Sequence, residues 1–294
     1  MKYDQHLVTQ PADGYELLDS GENMKLERFG DAIVARPETQ GLWAKQKPEL
    51  WESANAVFSF DEAKGAWNVK KPLPEPWVVP HGTLRLIARL TNFKHVGIFP
   101  EQAPNWEWTS ARIAEKTRAA ASPPRVLNLF GYTGAASVAA ALAGAEVTHV
   151  DSSKQSLDWA HENARASLAR EESIRWILDD ALAFAKREVR RGAKYDGIIL
   201  DPPAFGRGGK GEVWKIERDL PALLSALKEL LSDELGSFFL LNGYAAGYAP
   251  RAFAQAVESV FGELPEAECG ELHIQESGSS RVIPAGIYVR FVRE

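Results

Sequence analysis

Four positions in the sequence place an acid or an amide at the end of a short apolar run: Asp151, Asp180 (in the pair Asp179-Asp180), Asp201 and Asn242. A fifth run, residues 126–130, ends instead at Gly131 and Gly134. Glycines at a first turn with a carboxylate about 20 residues beyond them form the layout that holds a nucleoside, because the acid can accept hydrogen bonds from both ribose hydroxyls. Asp201-Pro202-Pro203-Ala204-Phe205 adds an acid, two rigid carbonyls and an aromatic face, a set suited to orienting a flat, nitrogen-bearing molecule. Asp180 could accept from an adenine amine or cap the helix that follows it, and Asn242 could contact a ring or close a strand end.

Chemistry of this kind requires elements that bring the positions to one edge. Residues 126–130 read as a buried parallel strand, 135–143 as a helix ended by Gly144, and 146–150 as a second strand closed by Asp151. The alternation continues with a helix over 152–168 capped by Ser153, a strand over 174–178, and a helix over 181–189. A strand over 195–200, a helix over 215–231, a strand over 237–242 and a helix over 251–261 follow. Residues 271–275 and 287–292 are placed to close the sheet as a hairpin. Gly206-Arg207-Gly208-Gly209-Lys210-Gly211 reads as a mobile basic loop at the mouth of the crevice, with Arg207 and Lys210 available to phosphates.

The ribose could belong to more than one ligand. A dinucleotide site wants G-x-G-x-x-G, which Phe130-Gly131-Tyr132-Thr133-Gly134 does not supply, and Tyr132 would stand where pyrophosphate lies. An adenosyl group carrying an amino acid fits the turn better, and a plain α/β core with an incidental glycine turn needs no ligand at all.

At 294 residues, with 45% hydrophobic and 25% charged side chains, the chain has room for two domains. A net charge of −6 excludes coating of nucleic acid by bulk electrostatics, so an RNA substrate requires a local basic patch. The single Cys269 excludes an internal disulfide, and the six histidines lack metal-ligand spacing, so no metal is expected. No apolar run reaches the length of a membrane span, and the first residues lack a signal-peptide core, which makes the cytoplasm the expected location.

Turn signals at residues 20–23, 29–31, 36–37 and 40–41 divide the first part of the chain into short strands, the pattern of a small β-rich domain. Residues 64–94 hold six Lys or Arg against the single acid Glu75, with Trp67, Trp77 and Phe93 among them. Such a mixture can contact phosphates and stack bases, or it can be a tryptophan-filled core with a solvated basic face. The expected boundaries are a β-rich domain over 1–100, a connecting helix over 101–122 and an α/β domain over 123–294.

Val126-Leu-Asn-Leu-Phe-Gly-Tyr-Thr-Gly134, the acids at Asp151 and Asp180, and Asp201-Pro-Pro-Ala-Phe205 together resemble the class I S-adenosylmethionine-dependent methyltransferases. More narrowly, the chain resembles the bacterial large-subunit ribosomal RNA methyltransferase group. The resemblance implies a Rossmann-like α/β fold with a seven-stranded sheet, S-adenosyl-L-methionine as cofactor and RNA as substrate. Its implied cofactor set is Phe99, Gln102, Asn128, Phe130, Gly131, Tyr132, Thr133, Gly134, Asp151, Ser152, Asp180, Ala181 and Asp201. Phe130, Thr133 and Gly134 would line the methionine end, Asp151 would take the ribose, and Asp180 would read adenine. Asp201, Pro202, Phe205 and Asn242 would border the acceptor. The cytosine-C5 members activate the ring with a cysteine near the end of the fifth strand, where this chain has Leu241-Asn242-Gly243. The expected acceptor is therefore a base nitrogen. The N-terminal RNA-binding module common in those enzymes is not recognisable.

Overall fold

The computed structural model describes all residues except 62–63, 120–121, 209–210, 212 and 245–246. Two compact units result, and they do not follow a single cut in the sequence. One consists of residues 1–7, 104–272 and 285–294, and the other of residues 8–103 and 273–284.

The chain starts with strand β1 (Lys2–Thr9). The β-rich unit then builds β2 (Tyr15–Gly21), β3 (Met24–Phe29), β4 (Ala32–Pro37), β5 (Ala56–Asp61) and β6 (Lys64–Val69). They form one sheet in chain order, antiparallel throughout except for the parallel β4–β5 pair. A separate hairpin pairs β7 (Val78–His81) with β8 (Leu84–Ile87). Trp77 is buried here and donates its indole N–H to the Phe29 carbonyl at 2.7 Å, so this tryptophan fills a core.

The sheet unit continues with α1 (Ala103–Ala119), β9 (Arg125–Leu129), α2 (Ala135–Leu142), β10 (Glu146–Asp151), α3 (Lys154–Ala166) and β11 (Ile174–Leu178). Next come α4 (Ala181–Arg190), β12 (Gly197–Leu200), β13 (Phe205–Arg207), β14 (Val213–Lys215) and α5 (Ile216–Leu230). The last elements are β15 (Phe238–Gly243), α6 (Pro250–Phe261), β16 (Glu268–Gln275) and β17 (Val282–Val292). The large sheet runs β1-β16-β17-β15-β12-β9-β10-β11. Its central pairs are parallel and β15–β17 is antiparallel. The expected seven strands are β16 through β11 in this order, and β1 adds an eighth at the edge.

The parallel strands read as unbroken apolar runs because helices cover both of their faces. Ile198, Leu200, Phe239, Leu241, Leu223 and Leu227 lie in one buried cluster that joins β12 and β15 to α5. From β9 the chain steps outward to β10 and β11, then returns to β12 on the other side of β9. That reversal opens a crevice at the carboxyl ends of these strands, the place where open α/β sheets bind ligands. One sequence expectation fails here. The segment read as a mobile loop contributes Arg207 to an antiparallel hairpin, in which Phe205 pairs with Lys215 and Arg207 with Val213. Lys210 lies outside the described residues.

Candidate functional site

The turn after β9 is built from left-handed backbone. Phe130 has φ 56°, Tyr132 φ 48° and Gly134 φ 84°. Non-glycine residues at positive φ are uncommon and each costs of order 1–3 kcal/mol, so neighbouring contacts must hold them. The Gly131 N–H donates to the Val150 carbonyl at 3.1 Å, and the Gly134 N–H donates to the Gly131 carbonyl at 2.9 Å. Thr133 is buried, its carbonyl accepting from Asn163 Nδ2 at 2.7 Å. Gly131 is required for a reason the sequence did not show. A Cβ there would lie 2.3 Å from the imidazole of His149, so the missing side chain makes room for a core histidine and not only for a ligand. His149 is fully buried and its Nδ1 meets Ser137 Oγ at 2.9 Å; burial pushes its pKa down to about 3, so the ring is neutral.

Asp151 closes β10 beside this turn. Its Oδ2 accepts the Tyr132 N–H at 2.9 Å and its Oδ1 accepts the Ser153 N–H at 2.8 Å. Burial raises its pKa from the usual carboxylate value, and these backbone donors offset part of that rise. A carboxylate offers about four acceptor sites, so capacity remains for hydroxyl donors.

The crevice is a cleft of about 440 Å³, part of it open to solvent. Phe130, Val150, Asp151, Ser152, Asp179, Asp180, Ala181, Pro203, Gly206, Arg207, Gly208 and Trp214 line it. Five residues of the expected cofactor set meet there: Phe130, Asp151, Ser152, Asp180 and Ala181. Asp180 is also the N-cap of α4, accepting the Ala183 N–H at 2.8 Å, so the capping reading holds for a residue that lines the cleft. Asp179 was passed over in the sequence; it pairs with Arg187 and accepts the Asp180 N–H at 3.0 Å, which fixes the turn. Trp214 was also passed over. It packs on Phe130 with ring centroids 4.9 Å apart and donates its indole N–H to the Pro203 carbonyl at 2.6 Å. Its sequence context, a basic glycine loop, carried no sign of this.

That last bond corrects one expectation. The Pro203 carbonyl is not wholly open, because the Trp214 indole N–H occupies one of its two lone pairs. Asp201, Pro202 and Phe205 stand outside the cleft lining among the described residues. Phe205 is 52% exposed, with the Arg207 guanidinium 5.9 Å from its ring centroid.

Other expected residues stand outside the cleft lining among the described residues. Asn128 is buried and donates to Ser137 Oγ at 2.8 Å, supporting the turn from below. Gly131, Tyr132, Thr133 and Gly134 shape the turn without lining the cleft among the described residues. Asn242 is buried, its Oδ1 accepting from Asn105 Nδ2 at 2.9 Å, so that oxygen is engaged with α1. Cys269 is 1% exposed and burial raises its pKa, which suits a packing residue and not a nucleophile. Phe99 and Gln102 belong to the β-rich unit, Phe99 as the N-cap and Gln102 as the last residue of the 3-10 turn Pro100–Gln102. Between them Glu101 is buried, its pKa raised by burial.

Acceptors at Asp151 and Asp180, with flat apolar walls from Val150, Phe130, Ala181 and Pro203, are the groups a nucleoside needs: partners for hydroxyls and an amine, and faces for a purine. Fold and cleft together have the Rossmann-like layout of a nucleoside site. The family model described as S-adenosylmethionine-dependent methyltransferase matches residues 55–267. The chain belongs to that family, whose cofactor is S-adenosyl-L-methionine. The chain is 38% identical to a structure from Agrobacterium tumefaciens described as a SAM-dependent methyltransferase, with a TM-score of 0.91 over 100% of this chain and 95% of that one. It is 36% identical over 225 residues to the ribosomal RNA large subunit methyltransferase K/L of Shewanella sp. strain MR-4, covering 72% of this chain. The match spans only 28% of the length of that relative. The ribosomal RNA large subunit methyltransferase K of Neisseria meningitidis is 25% identical over 92% of this chain and 79% of its own length.

Proposed function

We propose that this protein transfers a methyl group from S-adenosylmethionine to a ring or amino nitrogen of an RNA base, with ribosomal RNA as the first candidate. The observation that carries the reading is the cleft at the sheet's reversal point, where Asp151 and Asp180 flank an apolar slot. Bound there, the cofactor supplies an electrophilic methyl group on a sulfonium. Asp151 would accept from the ribose hydroxyls and Asp180 from the adenine amine, while Phe130, Val150 and Ala181 cover the purine faces. The backbone turn at 130–134 is held by Asp151 and by the buried Asn128–Ser137–His149 chain, and would shape the methionine end of the site.

On the acceptor side, Phe205 and Arg207 present a stacking face and a positive charge at the rim. A base nitrogen already has a lone pair, and as its N–C bond forms the S–C bond breaks to leave a neutral thioether. An amino nitrogen then gives a proton to solvent, while a ring nitrogen without N–H keeps the positive charge. Either needs orientation in line with the S–C bond more than a strong base, and positioning supplies most of the acceleration. The absence of cysteine from the end of β15, with Cys269 in the core, supports nitrogen over a pyrimidine C5. The basic stretch 64–94 and Arg207 would meet RNA phosphates. No helix among the described residues is long and apolar enough to cross a membrane, and a ribosomal RNA acceptor would place the enzyme in the cytoplasm.

Two measurements test the reading. Calorimetric titration with S-adenosylmethionine should show binding. Mass spectrometry of nucleosides from ribosomal RNA should show one methylated base missing in cells without the gene and restored by the purified protein. Methyl transfer to a protein fraction alone would refute the RNA reading, and a covalent adduct with a 5-fluoropyrimidine RNA would refute the nitrogen acceptor.

A further inference from the structure

The β13–β14 hairpin has two unlike faces. Phe205 pairs with Lys215, Gly206 with Trp214 and Arg207 with Val213. Strand alternation turns Phe205, Arg207, Val213 and Lys215 to one side and Trp214 to the other. Burial follows that division: the first four are exposed, whereas Trp214 is 6% exposed. Because Trp214 precedes the residue paired with Phe205, fixing its inward direction fixes the outward direction of Phe205.

Methyl transfer needs the accepting atom in line with the S–C bond, and an error of about 1 Å can cost about 100-fold in rate. The two ends of that line hang from different strands. Phe130 follows β9 and Asp151 ends β10, whereas the Asp201–Phe205 turn follows β12. The sheet holds the start of this turn, where the Asp201 N–H donates to the Leu129 carbonyl at 3.4 Å. Further on, the Ile216 N–H donates to the Ala204 carbonyl at 3.1 Å and the Lys215 N–H to Asp219 Oδ2 at 2.8 Å, which joins the hairpin to α5. Trp214 joins it to the cofactor side. Its ring packs on Phe130 with centroids 4.9 Å apart, and its indole N–H donates to the Pro203 carbonyl at 2.6 Å. Phe130, Pro203 and Trp214 all line the cleft. A tryptophan that only filled space would need its ring and not its N–H. This one uses both, the ring on the cofactor wall and the N–H on the main chain two residues before Phe205.

We infer that Trp214 is a positioning residue for methyl transfer, tying the Asp201–Phe205 turn to the Phe130 wall so that Phe205 is held in register with the cofactor cleft. The inference deepens the reading above and rests on an acceptor that meets this turn.

Trp214→Phe keeps a ring against Phe130 and removes the donor. On the full chain, with ribosomal RNA from cells without the gene as acceptor, it should lower kcat by about three- to tenfold, the worth of one neutral hydrogen bond. Calorimetric affinity for S-adenosylmethionine should stay at the wild-type value, and circular dichroism should show an intact fold. Because Trp214 acts through Phe205, the double variant Trp214→Phe/Phe205→Ala should be little slower than Phe205→Ala alone. A readout without cofactor or acceptor is tryptic cleavage after Arg207, followed by mass spectrometry. It should run several-fold faster in Trp214→Phe, because local opening of the hairpin governs the cut. Wild-type kcat in Trp214→Phe, or effects that multiply in the double variant, would overturn the proposal. So would a loss of S-adenosylmethionine affinity as large as the loss of kcat, since Trp214 would then be a wall of the cofactor cleft alone. An unaltered tryptic rate would overturn the tie itself. If the wild type methylates a protein fraction and no RNA, the RNA reading fails, and the same double-variant comparison on that fraction decides Trp214 separately.

Discussion

Glu27 of the β-rich unit and Asp151 of the sheet unit are both withdrawn from water, yet burial leaves them on opposite sides of the ordinary carboxylate range. Glu27 is enclosed by cations and donors. Arg36 reaches it through Nε at 2.5 Å and Nη2 at 2.9 Å, Tyr15 donates to it at 2.8 Å, and Lys25 stands 3.6 Å away and also pairs with Glu38. Burial works against its charge, but these cations outweigh burial and hold its pKa down at about 2. Burial raises the pKa of Asp151, and only backbone N–H groups, those of Tyr132 and Ser153 among them, work against that rise. A buried acid whose partners are all present is complete within the protein. One held by backbone donors at the wall of a cleft, with acceptor capacity left over, is built for something that arrives.

The largest effect should come from breaking the complete cluster. Glu27→Gln leaves Arg36 and Lys25 buried without their counter-charge and should cost about 3–5 kcal/mol of unfolding free energy in urea titration. A loss below about 1 kcal/mol would show that the cluster is solvated in solution. Asp151→Asn should do the reverse, weakening S-adenosylmethionine binding by about 10–100-fold in calorimetry, as expected for a lost charged acceptor, with a smaller change in stability. Unaltered affinity would remove the ribose role.

Lowering pH separates the two acids by sign. Glu27 titrates below the ordinary glutamate range, so its stabilisation is full above that range and is lost as pH falls toward about 2. Asp151 titrates above the ordinary aspartate value, so protonation should erode cofactor affinity while the Glu27 cluster is still ionised. Calorimetry and circular dichroism across the acid range should show affinity falling before the β-rich unit's contribution to stability does; the opposite order would break the comparison.

Two smaller effects sharpen it at the rim and in the core. Phe205→Ala should reduce methyl transfer about tenfold with cofactor affinity intact, because it removes a stacking face outside the cleft. Cys269→Ser should leave transfer nearly unaltered, and an inactive Cys269→Ser protein would contradict a packing role.

Much of the α/β half was legible because local signals agreed with one another. Apolar runs ending in Gly131, Asp151 and Asp201 read as buried strands, and Ser153 caps α3 as its sequence position indicated, accepting the Ser156 N–H at 3.2 Å. The family resemblance implied that Phe130, Asp151, Ser152, Asp180 and Ala181 belong together, and the parallel strands explain their meeting, since each delivers its last residue to the same edge. β1 was not legible, because Lys-Tyr-Asp-Gln-His-Leu-Val-Thr has little apolar alternation and becomes a strand only by joining an existing edge.

Side-chain direction was settled by contacts between residues far apart in the chain. Asn242 sits at the expected strand end, but its partner Asn105 lies 137 positions away. The Pro203 carbonyl looked open until Trp214 folded back to occupy one of its lone pairs, and Gly131 looked like a ligand contact until His149 filled the space beside it. The sequence determined by itself which residue types stand at the ends of the strands, since period and turn chemistry are local. Which of those side chains face the cleft, and which are consumed inside the core, was decided only by the tertiary structure, because hydrogen-bond satisfaction and close packing are properties of neighbours in space.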